Sequence, residues 1–121
     1  MGYYTTYRLQ CSPVKNVDIA ESIQNWLTEH GVIGYALDEF SDYYNHSLII
    51  SDHEPVKWYE FNDDMIELSE AFPEVTFKLH GEGEESGDIW DRYYLNGDVE
   101  DCEWAPPVPK RIKWPPNDVT D

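Results

Sequence analysis

The chain is poor in positive charge. Its 121 residues hold 8 Lys and Arg against 25 Asp and Glu, a formal net charge of −17. Solubility needs a charge of magnitude only about 2–8 in a small domain. The excess costs stability through self-repulsion. DNA, RNA and anionic membranes are therefore expected to be poor direct partners, and a basic protein surface is the natural one. Cysteine is scarce as well. Cys11 and Cys102 are too few for a disulfide scaffold and have no His or Cys at metal-ligand spacing. They read as two reduced, dispensable thiols. No apolar run approaches the roughly 18 residues of a membrane helix. The opening "MGYYTTYRLQ" lacks the layout of a signal peptide and does not match a myristoylation site. The expected compartment is the cytoplasm. At 40% hydrophobic and 15% aromatic, the chain has the composition of a folded domain rather than a disordered one.

Catalytic motifs are also missing. The stretch "GEGEESG" (81–87) precedes a strand rather than a helix, and its acids repel a phosphate, so it is not a nucleotide loop. His30, His46, His53 and His80 are scattered, and none sits in a nucleophile motif. Pairs of carboxylates suited to glycoside hydrolysis occur in any acidic chain and carry no signal. Glu82, Glu84, Glu85 and Asp88 offer hard oxygen ligands beside Gly81, Gly83 and Gly87, but not at the spacing of an EF-hand. No enzyme, metal or cofactor is expected.

Periodicity predicts the elements. Residues 3–10 alternate as a strand. Ile19, Ile23, Trp26 and Leu27 share a helical face over 17–30, with Asp18 and Glu21 as a capping arrangement and Gly31 as the stop. "VIGYALDEF" and "HSLIIS" read as two strands. A helix over 62–72 is capped by Asn62, and "EVTFKLH" is a strand. "DIWDRYYL" and "DVEDCEW" flank Asn96-Gly97, a strong hairpin signal. The order β-α-β-β-α-β followed by a hairpin predicts an α+β, ferredoxin-like split βαβ with both helices on one face of an antiparallel sheet. Another α+β sandwich with the same elements is the alternative. Residues 1–105 form the expected domain. Residues 106–121, with five prolines, form an extended, partly mobile arm separable from it.

The acids are densest between His80 and Trp104. Glu82, Glu84, Glu85, Asp88, Asp91, Asp98, Glu100, Asp101 and Glu103 stand against Arg92 alone. Alternate strand residues on one face lie about 6.6 Å apart, twice the ~3.3 Å rise, close to phosphate spacing along a nucleic-acid strand. Alternation also assigns Ile89, Asp91, Tyr93 and Leu95 to the helix-facing side. It leaves Trp90 and Tyr94 exposed among the acids, a composition suited to protein binding. Asp38, Glu39, Asp42, Asp52 and Glu54 form a second group with no Lys or Arg between them, and Glu60, Asp63, Asp64, Glu67, Glu70 and Glu74 a third. The bland reading of each group is a solvated face. The number of acids argues against it.

The block from Lys57 to Gly97 carries a KWY entry, a DM-x-x-x-S-x-x-FP helix and a GEGEE-x-GD-x-W-x-x-Y-x-x-NG hairpin. It resembles small uncharacterised phage, prophage and plasmid proteins over about a third of the chain. Where those proteins often carry Lys after the last Gly, this chain has Asp98. A phage origin implies inhibitors of host defence, among them anti-CRISPR and antirestriction proteins, several of which are acidic DNA mimics. The expected function is thus an acidic inhibitor, acting in the host cytoplasm if phage-encoded. It occupies the positively charged nucleic-acid channel of a defence nuclease or CRISPR effector. Its expected binding residues are Glu82, Glu84, Glu85, Asp88, Trp90, Asp91, Tyr94, Asp98, Glu100, Asp101 and Glu103. An immunity protein or antitoxin against a basic toxin uses the same physics. A structural or assembly protein charged only for solubility is the third reading.

Overall fold

A computed structural model describes residues 4–103 and 109–116. The elements are β1 (Thr5–Ser12), α1 (Val17–Glu29), β2 (Leu37–Tyr44), β3 (Ser47–Asp52), α2 (Phe61–Ala71), β4 (Thr76–Gly83), β5 (Ile89–Leu95) and β6 (Asp98–Glu103). All six strands join one antiparallel sheet in the order β2-β3-β1-β4-β5-β6. The class is α+β, as the periodicity predicts. The strand order of the whole is not that of a ferredoxin-like sheet, because the C-terminal hairpin does not stand apart. It extends the sheet to six strands.

Local chemistry sets the element ends. Asn16, not the Asp18–Glu21 pair, caps α1, its Oδ1 accepting from the Ile19 N–H at 2.9 Å. Ala20, Ile23 and Leu27 are buried, and Gly31 (φ 77°) follows the helix in the left-handed region. Helix α2 begins at Phe61 and has no side-chain cap. Asn62 is occupied elsewhere: its Oδ1 accepts from Tyr94 Oη at 2.9 Å and Arg92 Nη1 at 3.3 Å. Asn96 (φ 47°) and Gly97 (φ 86°) make the expected tight turn between β5 and β6.

One face of the sheet packs under the helices. Tyr7, Leu9, Cys11, Leu48, Ile50, Phe77, Leu79 and Tyr94 meet Ala20, Ile23, Leu27, Met65 and Leu68 in a continuous core. The register Phe77↔Tyr94 and Gly81↔Trp90 puts Trp90, Arg92 and Tyr94 on this side. The expected facing of β5 is therefore reversed: Asp91 and Tyr93 lie on the far face. The middle of the strand is buried on both faces nonetheless, Tyr93 at 1% exposure and Tyr94 at 0%. A strand covered on both faces carries apolar residues on both, and alternation then has no contrast to read.

Residues 109–116 provide that second cover. Glu100 of β6 accepts backbone N–H groups of Lys110, Arg111 (2.7 Å) and Ile112 (2.9 Å). Arg111 pairs with Asp98 at 2.7 Å and donates to the Val99 carbonyl. Ile112 is buried, the Trp114 ring lies 5.8 Å from that of Tyr93, and Lys78 Nζ lies over the same indole. Over these residues the chain is a strap without helix or strand that lies against β5 and β6. The remainder of the expected arm, 106–108 and 117–121, lies outside the described residues.

Cys11 belongs to the core at 0% exposure, and burial pushes its thiol pKa up, whereas Cys102 is half-buried. The two cysteines are not equally dispensable. Cys11→Ser places a hydroxyl in an apolar setting and is expected to cost about 1–3 kcal/mol. Cys102→Ser is expected to stay within about 0.5 kcal/mol. Urea unfolding of the two variants side by side measures this. Equal midpoints would contradict the core position of Cys11.

Among the described residues no helix is long and apolar enough to cross a membrane.

Candidate functional site

The sheet register gathers acids that are distant in the chain. Thr5 pairs with Gly83 and bridges to Val56, Leu37 pairs with Asp52, and Glu82 with Ile89. The starts of β1, β2 and β5 therefore meet the ends of β3 and β4 at one end of the sheet. This end carries Asp38, Glu39, Asp52, Glu54, Glu82, Glu84, Glu85 and Asp88. The pair Trp90↔Glu103 brings the last residue of β6 to the same end. Parts of the first and second of the three acidic groups thus merge in space into a rim.

The rim is thinly neutralised. Among the described residues the Lys and Arg salt bridges are Lys78–Asp91, Arg92–Asp101 and Arg111–Asp98, none of them on the rim. Glu82 meets His80, and Glu84 accepts the Tyr4 N–H at 2.8 Å. Lys57 is turned to the Tyr4 ring, 5.0 Å from its centroid. Arg8 lines a cavity of about 50 Å³ together with Asp52, His80 and Glu82.

Aromatic surface accompanies these charges. Tyr4 precedes β1 and Tyr35 precedes β2, while Tyr59 follows Val56 in the loop from β3 to α2. They are 42%, 45% and 78% exposed. Tyr35, Trp58 and Tyr59 line an open cleft of about 240 Å³ with Glu60 and Asp64. Its walls are held: Tyr35 Oη donates to the Lys57 carbonyl at 3.0 Å, and Trp58 Nε1 to Asp64 at 2.8 Å. Exposed tyrosines among carboxylates suit a protein interface, where tyrosine supplies contact area with few rotamers to freeze.

The predicted binding residues divide. Glu82, Glu84, Glu85 and Asp88 belong to the rim. Asp91 does not: it is 3% exposed, with His80 Nδ1 at 2.7 Å and Lys78 Nζ at 3.9 Å. Tyr94 lies in the core. Trp90 is half-buried rather than an exposed anchor. Its indole stacks on Phe61 at 5.2 Å, with the Arg92 guanidinium 5.5 Å from its centroid. Asp98 and Glu100 are taken by the strap, and Asp101 by Arg92 at 3.2 Å. The Arg111 guanidinium holds Asp98 below its ordinary carboxylate pKa, and the Lys110 and Ile112 N–H groups do the same for Glu100. Glu103 is placed by its strand position alone.

Asp38, Glu39, Asp52, Glu54 and the three tyrosines were not assigned to the site from the sequence. The signal was the cation-free run from Asn16 to Val56 together with the hairpin that sets Asp52 opposite Leu37.

Both ring nitrogens of His80 face carboxylates, Nδ1 that of Asp91 and Nε2 that of Glu82 at 2.9 Å. Neither is open to a substrate. Among the described residues no group of three His, Cys, Asp or Glu is placed to hold a metal ion. No protein-family model, curated protein or solved structure matches the chain.

Proposed function

We propose that this protein is an acidic inhibitor that seats its rim on the positively charged, nucleic-acid-binding surface of another protein, such as a defence nuclease or CRISPR effector. The observation that carries this reading is the convergence of acids from two sequence-distant groups, among them Asp38, Glu39, Asp52, Glu54, Glu82 and Glu84, on one sheet end flanked by exposed Tyr4, Tyr35 and Tyr59. Convergent like charge raises the local potential, steers a basic partner and accelerates encounter. The tyrosines supply the short-range burial that holds the complex.

The test uses a labelled DNA duplex bound to a CRISPR effector–guide complex and, separately, to a restriction nuclease. Added protein is expected to displace the duplex, less effectively as salt rises. The triple variant Glu39→Lys, Asp52→Lys, Glu54→Lys is expected to lose this by at least about tenfold while staying folded, since exposed substitutions usually cost within about 0.5 kcal/mol each. Asp98 and Glu100 are left intact because they hold the strap. Failure to displace DNA from any of a panel of basic nucleic-acid-binding proteins overturns the reading. A ternary complex with DNA still bound overturns it too.

A further inference from the structure

Strand β2 is the outer edge of the sheet, and among the described residues nothing pairs with its free side from Asp38 to Tyr44. Its backbone polarity follows from the turn it enters. Asn45 (φ 56°) and His46 (φ 64°) form a two-residue turn closed by Tyr44↔Ser47. In such a hairpin the closing pair is hydrogen-bonded and the pairs alternate from there. Asp42↔Ile49 is bonded in its turn, so the N–H and C=O groups of Tyr43 and Ser41 point away from β3, off the sheet.

The side chains add to this. Phe40 and Tyr44 are 74% and 79% exposed, and Ile49 of β3 is 36% exposed. With Asp42 they occupy the sheet face away from the helices, where Phe40, Ser41, Asp42 and Ser51 line an open cavity of about 300 Å³. Among the described residues the strap covers that face over β4, β5 and β6. Charge then selects among occupants. Glu39 and Asp42 lie on β2, and residues 16–56 contain no Lys or Arg. A second copy would set these acids against their own kind, whereas cross-strand pairs of opposite charge are stabilising.

We infer that the free edge of β2 takes an extended, lysine- or arginine-rich polypeptide segment as a seventh strand. Ser41 and Tyr43 supply the backbone ladder. Phe40, Tyr44 and Ile49 receive its apolar side chains on the face away from the helices, while Glu39, one residue out of phase with Phe40, pairs with its cations and Asp42 adds to the negative potential of the edge. It shares Glu39 with the rim but none of the rim tyrosines, and Ser41→Pro, which touches no rim residue, separates it from DNA displacement.

Fluorescence polarisation with a short labelled peptide alternating Lys and Val tests it, beside peptides alternating Glu with Val and Lys with Pro. The Lys/Val peptide is expected to bind and to protect the Ser41 and Tyr43 amides from hydrogen exchange. Glu39→Lys with Asp42→Lys, and separately Ser41→Pro, are each expected to weaken it by at least about tenfold. Equal binding by the Lys/Pro peptide overturns the inference, because that peptide has the charge but cannot form a ladder. So does a folded Ser41→Pro variant with unchanged affinity, absence of binding by the Lys/Val peptide, or a dimer of the protein that Ser41→Pro dissolves. Should Ser41→Pro not fold, exchange at the Tyr43 amide in the wild type decides: protection by the Lys/Val peptide supports strand addition, and unchanged exchange overturns it.

Discussion

Gly81→Ala is expected to destabilise the protein by about 1–3 kcal/mol, although it adds a single methyl group to a strand. A Cβ at this position would sit inside contact distance of the Trp90 ring at Cζ2, Cε2 and Cη2. The indole has nowhere to go. Phe61 stacks on it, the Tyr7 ring meets it edge-on with centroids 6.1 Å apart, and the Arg92 guanidinium lies on it. Gly81 is itself buried, and its partner across the ladder is Trp90, so the missing side chain is the slot that the indole fills. Trp90→Ala empties that slot and is expected to cost about 2–4 kcal/mol, somewhat below a fully buried tryptophan. The decisive measurement is the double-mutant cycle by urea unfolding. In the Trp90→Ala background the added methyl meets open space, so the cost of Gly81→Ala is expected to fall to near zero. Additive costs would sink this account. Rim-dependent binding is expected to survive Trp90→Ala at temperatures where the variant is folded, because the indole is half-buried against Phe61 and Tyr7.

Ending the chain after Pro107 is expected to cost about 2–4 kcal/mol, the burial of Ile112 and part of Trp114 less the entropy of ordering the strap. It uncovers Tyr93 and leaves Asp98 and Glu100 without the donors that hold them. The same contacts make the strap pH-sensitive. Both carboxyls are held below their ordinary pKa in the folded state, by Arg111 and by the strap's own N–H groups. Their contribution is therefore complete above the unfolded carboxylate range, and is lost as pH falls below that range through the lowered folded values. The strap is expected to lift in that window. The difference in fluorescence between the wild type and Trp114→Phe follows it, and the truncated chain should lack the transition. A truncated protein as stable as the full chain, or a strap signal flat through acid, would show that 109–116 merely rests on the sheet.

Much of the architecture was legible in the sequence because local physics dictates it. The 3.6-residue spacing of Ile19, Ile23 and Leu27, the left-handed requirement at Asn96-Gly97 and the alternation of Phe77 and Leu79 each act within a few residues. They determined two helices, the strands and the tight turn, hence the α+β class. The acidic character likewise follows from composition, because net charge does not depend on side-chain placement. Three things were decided only by the tertiary structure. The facing of β5 depended on its register with β4, and because 109–116 cover Tyr93 while the core takes Tyr94, the alternation at the middle of the strand carried no contrast. The fate of each acid depended on neighbours far along the chain. Arg111 and the strap amides took Asp98 and Glu100, His80 and Lys78 took Asp91, and the sheet order brought Asp52 and Glu54 beside Glu82 and Glu84. The continuation of the sheet through β5 and β6, rather than a detached hairpin, depended on β4 offering a free edge on the side away from β1. Sequence patterns report which face of an element is apolar. Only the register between elements reports what that face meets.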